Sequence, residues 1–176
     1  ATLQFNPAVL KRVIIQALPL AGSIAISGSS EYIDAFLVKH FMTDADFAVF
    51  RYGAKEMPIL LIVANSFSAT MLPAIASDIQ NGLTTLKEKS ARLMHIFFPI
   101  SIALLFISPY AFKLVFSPAF EASAFIFNIY LLLAIPRLIF PQTIVIAQGH
   151  TRFILWSSLI EISTNVACSI FLYQYF

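Results

Sequence analysis

Long apolar runs alternate with short polar joints along the whole chain, and each run is long enough to cross a bilayer as a helix, which takes roughly 20 mainly apolar residues. The pattern predicts five such spans, at about Lys11–Val38, Phe47–Ile75, Leu93–Phe116, Ala122–Gln148 and Thr151–Tyr175. The first is expected to be interrupted by the small polar stretch Ser27-Gly28-Ser29-Ser30. The joints carry helix-end chemistry. Thr43-Asp44-Ala45-Asp46 offers N-cap carboxylates to the second span, Ser117-Pro118 breaks the chain before the fourth, and Gly149 is suited to close it. The long joint Ser77–Arg92 mixes Asp78, Lys87, Glu88, Lys89 and Arg92 with apolar residues, and reads as a short helix on the membrane surface. Interior prolines at 19, 58, 73, 99, 109, 136 and 141 each remove a backbone hydrogen bond and predict kinks in the first four spans.

Composition agrees with the pattern. Of the 176 residues 59% are hydrophobic and only 11% charged, where soluble domains carry about 25%. The mean hydropathy is +0.84. The expected fold is therefore all-α: a single polytopic transmembrane domain over residues 1–176. A net charge of +2 is too small to suggest nucleic acid. The lone Cys168 excludes an internal disulfide and a cysteine-based metal site. His40, His95 and His150 are scattered, so neither a metal nor another cofactor is expected. The chain starts at Ala1 without an initiator Met and stops inside an apolar run at Phe176, so it reads as a fragment of a longer transporter. With five spans, the side bearing the N-terminus holds Lys11, Arg12, Lys87, Lys89, Arg92 and Arg152, against Lys39 and Lys113 opposite. That imbalance places the N-terminus in the cytoplasm.

The charges that remain inside the spans are the candidate chemistry. A charge at bilayer depth costs several kcal/mol unless it is paired or wetted, so it marks a pathway or a binding site. Glu31 and Asp34 lie in the first span, Arg51, Lys55 and Glu56 in the second. A hairpin about Met42–Thr43 sets Asp34 level with Arg51 and Glu31 level with Lys55. Arg51 and Lys55 then suit a phosphate, one as a planar fork and one as a mobile point charge. They serve equally well as counter-charges to the two carboxylates. Glu31 and Asp34 are candidates for gating, or for coupling to a cation or proton. Glu56 reads as structural. Arg137 should face the interior, in a packing role or in contact with substrate, with Glu161 as a geometrically possible partner. Asn65, Ser66, Ser68, Ser163, Thr164 and Asn165 are expected to hydrogen-bond between helices.

Several stretches resemble bacterial polysaccharide flippases, the lipid-linked oligosaccharide and O-antigen branch of the multidrug, oligosaccharidyl-lipid and polysaccharide exporter superfamily. Residues 47–58 (FAVFRYGAKEMP) are similar to the second helix of a lobe in those proteins. Met71-Leu72-Pro73 resembles the helix end before their cytoplasmic loop, and the intramembrane Asp34 fits the helix before. Residues 112–123 (FKLVFSPAFEAS) resemble the family's lead into its next helix, although Ser117 stands where glycine is common there. Ala147-Gln148-Gly149 followed by Asn165 completes the likeness. The resemblance implies helices seven to eleven of a 12- to 14-helix, two-lobe exporter in the bacterial inner membrane, lacking here the remainder of the transporter. It also implies alternating access around a cationic cavity that contacts membrane lipids and an undecaprenyl-pyrophosphate-linked oligosaccharide. Arg51, Lys55 and Arg137 would meet that substrate, and no catalytic chemistry is implied. A cation-coupled multidrug antiporter of the same superfamily, and a membrane enzyme of glycan assembly, are the alternatives.

Overall fold

The computed structural model describes residues 7–175. Residues 1–6 and 176 of the expected domain, and the Arg12 side chain counted on the cytoplasmic side, lie outside the described residues. Every regular element described is helical: α1 (Pro7–Phe41), α2 (Asp44–Gly53), α3 (Pro58–Ser77), α4 (Ile79–Val115), α5 (Glu121–Leu131), α6 (Ala134–Arg137), α7 (Pro141–Ala147) and α8 (Thr151–Tyr175). Five segments are long and apolar enough to cross a membrane: Pro7–Phe41, Pro58–Ser77, Ile79–Val115, Pro118–Ala147 and Thr151–Tyr175. The protein is a multi-pass, all-α membrane protein.

Two expected interruptions do not occur. α1 runs unbroken through Ser27–Ser30, because the hydroxyls find acceptors without leaving the helix. Ser29 donates to the Ala25 carbonyl at 2.7 Å, and Ser27 meets Ser158 of α8 at 3.2 Å. The expected surface helix over Ser77–Arg92 is instead the first part of α4, continuous with the third span. Only Asp78 separates it from α3; its carboxylate accepts from the Asn81 amide at 3.1 Å and caps α4. That amide bond, helped by the Asn81 side chain, holds the Asp78 carboxyl below its ordinary range. With 37 residues, α4 is about 55 Å long, well beyond the roughly 30 Å of bilayer hydrocarbon. Lys87, Lys89 and Arg92 are exposed on its first turns.

Two expected single helices are broken. The expected second span divides at residues 54–57, because Pro58 has no amide hydrogen to give the Ala54 carbonyl; the segment able to cross starts at Pro58, so Arg51, Lys55 and Glu56, expected inside the span, precede it. Pro58 becomes the first residue of α3, and Met57 before it is extended at φ −63°, ψ 113°. The fourth span divides into α5, α6 and α7 around Pro136 and Pro141. There Phe140 adopts a left-handed conformation, φ 57° and ψ 41°, one that costs a non-glycine residue about 1–3 kcal/mol. Its ring is buried and packs edge-on against Phe67 at 4.8 Å, which holds it there. Pro109 breaks nothing, since the Leu105 carbonyl it orphans accepts from Asn128 Nδ2 at 3.3 Å.

The joints otherwise follow the sequence. The helix α2 opens with a capping box: Thr43 Oγ1 accepts the Asp46 amide at 3.2 Å and Asp46 accepts the Thr43 amide at 3.3 Å. The cap is thus the Thr43 hydroxyl, with Asp46 its reciprocal partner. Gly149 follows α7 at φ +77°. Contacts from Gly22 to Leu155, Ser27 to Ser158 and Phe41 to Tyr173 run in the same order along α1 and α8, so the two are parallel neighbours. The α2–α7 segments form the second group, with a core of Leu60, Met71, Ile75, Phe97, Leu131 and Leu138. The α1–α8 pair meets this group through α2 at one end and α7 at the other.

Gly53 is the tightest joint between α2 and α5. A Cβ there would stand 2.5 Å from the Ser123 carbonyl and 2.8 Å from Ile126 Cβ, whereas one at Gly28 meets nothing within 4 Å. Gly53→Ala should therefore destabilise the protein by about 1–3 kcal/mol, and Gly28→Ala should be neutral or stabilising, as alanine suits a helix interior better. Thermal unfolding in detergent measures both, and equal midpoints for the two variants would contradict the packing.

Candidate functional site

Where α2 ends and α3 begins, the four residues 54–57 leave the helix, and the two in the middle are charged. Lys55 and Glu56 occupy the break opened by Pro58. Glu56 turns toward the fourth span, where Arg137 closes α6. The guanidinium grips it twice, Nε to Oε2 at 2.8 Å and Nη2 to Oε1 at 2.6 Å. The bidentate pair ties the break in the second span to the break in the fourth. Glu161, a geometrically possible partner for Arg137, acts on it only from a distance. The reason is reach: Glu161 is fixed on continuous α8, while Glu56 lies in an unwound segment that can bend toward the arginine.

Lys55 turns the other way, toward α1. Glu31 Oε1 accepts from Arg51 Nη1 at 2.7 Å and also from Lys55 Nζ. The expected pairing of Asp34 with Arg51 is not formed. Glu31 and Asp34 are three residues apart, so their directions differ by about 60° around α1: Glu31 faces α2 and Asp34 turns toward α8. Asp34 interacts there with Asn165. It lines a cleft of about 180 Å³ with Phe41, Phe50, Ser169 and Tyr173. The Asn165 Oδ1 is buried and receives no donor. Lys55 has left helical geometry, so it is not one turn above Arg51 and both cations converge on one oxygen.

These contacts form two clusters of different character. Glu31, Arg51 and Lys55 keep 48%, 40% and 46% of their side-chain surface uncovered, while Glu56 keeps 22%. The triad carries a net charge of +1 and is open; the Glu56–Arg137 pair is neutral and more covered. Arg137, at 42%, still presents part of its face. Tyr130 of α5 is half-buried within electrostatic reach of Asp34, Glu31 and Glu56. Its only sequence signal was the seven-residue spacing from Arg137.

Of the expected interhelical hydrogen bonds, Ser68 meets Thr143 at 2.6 Å. Ser163 instead donates within its own helix to the Leu159 carbonyl. Asn128, which sequence reasoning passed over, accepts from Ser108 at 2.6 Å while serving the Leu105 carbonyl. Lys39 pairs with Asp44, and Lys113 with Glu121 at 2.7 Å. The two basic residues on the side opposite the N-terminus are thus both neutralised.

A double-mutant cycle separates the two possible partners of Arg51. Glu31→Gln and Arg51→Gln should couple by about 0.5–3 kcal/mol, while Asp34→Asn and Arg51→Gln should add to within about 0.5 kcal/mol. Unfolding midpoints in detergent give both energies, and coupling to Asp34 with none to Glu31 would reverse the assignment.

The chain matches no family model, no curated protein and no solved structure.

Proposed function

We propose that the protein flips a lipid-linked oligosaccharide across the bacterial inner membrane, its undecaprenyl-pyrophosphate headgroup held by Arg51, Lys55 and Arg137. One observation carries this reading: Arg51 and Lys55 converge on a single carboxylate oxygen at the break between α2 and α3, which Glu56 ties to Arg137, and part of each cation faces open space. Interrupted transmembrane helices are where transporters place their binding sites, since irregular backbone at that depth is tolerated only beside protein or a water-filled cavity. A phosphate brings the charge and the multiple acceptors that a guanidinium and an ammonium are built to meet. Asp34, outside the ion-paired triad and facing Asn165, is the group left to take up a coupling cation or proton.

A drug/cation antiporter would favour acidic residues at the open surface, yet the triad there is net positive. An enzyme of glycan assembly would need a catalytic domain outside the bilayer. The joint expected to be longest is instead helical but for Asp78. Both points favour transport of an anion.

In proteoliposomes holding the full-length protein, Arg51→Ala/Lys55→Ala should slow transbilayer movement of a pyrophosphate-linked oligosaccharide lipid at least tenfold. Each charged hydrogen bond contributes about 1.5–3 kcal/mol. Insertion should be unchanged, and wild-type flipping in the double variant would remove the headgroup assignment. Direction depends on orientation. In a Cys168→Ser background, a cysteine at Thr85 should label only from the cytoplasm and one at Asp44 only from outside. The reverse labelling would invert the direction of transport.

A further inference from the structure

The donors best placed to hold an anion are already engaged by the protein's own carboxylate. Glu31 Oε1 accepts both Arg51 Nη1 and Lys55 Nζ, so one oxygen of α1 occupies the point where the two cations converge. Arg137 is held differently: its fork is matched oxygen for nitrogen by Glu56, the least exposed of the five charges. Glu31 therefore sits as a counter-ion in an open site, and Glu56 as a strut in a closed one.

A tethered carboxylate competes with any incoming anion at an effective concentration in the millimolar range. A singly charged anion offers the two cations nothing that Glu31 does not already supply, and it pays for its own immobilisation. A diphosphate brings more than one negative charge and several oxygens, so it can satisfy both donors at once and displace the glutamate. Resting on the anion site described above, we propose that Glu31 is its specificity-determining residue: a built-in competitor that admits diphosphate headgroups and excludes singly charged anions. Displacement also frees α1 from α2 at this depth, because Glu31 supplies the only ion pairs between the two helices in their interior among the described residues.

The test uses the full-length protein in nanodiscs, titrated calorimetrically with inorganic pyrophosphate and with acetate. Wild type should bind pyrophosphate and show no acetate binding. If the glutamate occupies the cations in about nine molecules of ten, Glu31→Gln should bind pyrophosphate about tenfold more tightly and should acquire acetate binding. Glu31→Asp, which keeps the charge but is one methylene shorter, should fall between the two and carries the test if the glutamine variant does not stay monodisperse. Glu161→Gln removes an equal charge from α8 without touching Arg51 or Lys55, the two donors that Glu31 engages, and should leave both titrations as in wild type. If Glu31→Gln changes neither titration while Arg51→Ala/Lys55→Ala abolishes pyrophosphate binding, the anion site stands and the role of Glu31 is overturned. If Glu161→Gln matches Glu31→Gln, the effect is one of general charge and the proposal fails. Failure of every variant, wild type included, to bind pyrophosphate would remove the anion site and the transport reading with it.

Discussion

A proline inside a membrane helix leaves a carbonyl without its donor, and the bilayer has no water to replace it. Much of the architecture of this protein is a response to that constraint. At Pro109 the orphaned Leu105 carbonyl receives Asn128 from α5, and α4 stays whole. At Pro58 and around Pro136 and Pro141 no such repair is made, and the helices open. Those openings release charged side chains from helical spacing, and the charges pair across them.

The ion pairs follow from the breaks more than from the helices. Had residues 47–75 formed one helix, Lys55 would stand a turn above Arg51 and Glu56 about 100° around from Lys55. Unwound, Lys55 bends back to share Glu31 with Arg51, and Glu56 reaches Arg137, 81 residues away in sequence. The two contacts have opposite mechanical character. The Glu56–Arg137 fork joins the second and fourth spans in a rigid, double-bonded link. The Glu31 triad joins α1 to α2 through a single oxygen in an open position, the kind of contact another anion can replace. A transporter needs both: a fixed frame, and a joint that responds to what is bound.

The division into an α1–α8 pair and an α2–α7 group fits this distribution. The pair is parallel and meets through contacts such as Ser27 with Ser158, Asp34 with Asn165 and the stacked Phe41 and Tyr173. The larger group carries the apolar core and the left-handed Phe140, whose cost is met by burial against Phe67. Asp34 and the triad lie where these two groups face each other.

Class, number of spans and the positions of most joints were legible in the chain, because in lipid a helix must satisfy its own backbone and so betrays itself by length and hydropathy alone. The capping motif at Thr43 and the turn at Gly149 were equally local, and equally readable. The charges Glu31, Asp34, Arg51, Lys55, Glu56 and Arg137 stood out because each interrupts an apolar run, although Arg51, Lys55 and Glu56 lie ahead of the crossing segment Pro58–Ser77. Of their pairings, only that of Glu31 with Lys55 was legible. Partner choice turned on whether Pro58 would kink its helix or open it, which the sequence of that helix does not decide. Asn128 arrived at Leu105; nothing equivalent closed the gap before Pro58. Equal depth in a hairpin set Lys55 against Glu31, which the structure keeps, and Arg51 against Asp34, which it does not; Glu161 was no more than a geometrically possible partner for Arg137. Only the packed structure, by opening the helix at residues 54–57, could add Arg51 to the Glu31–Lys55 pair and hand Arg137 to Glu56.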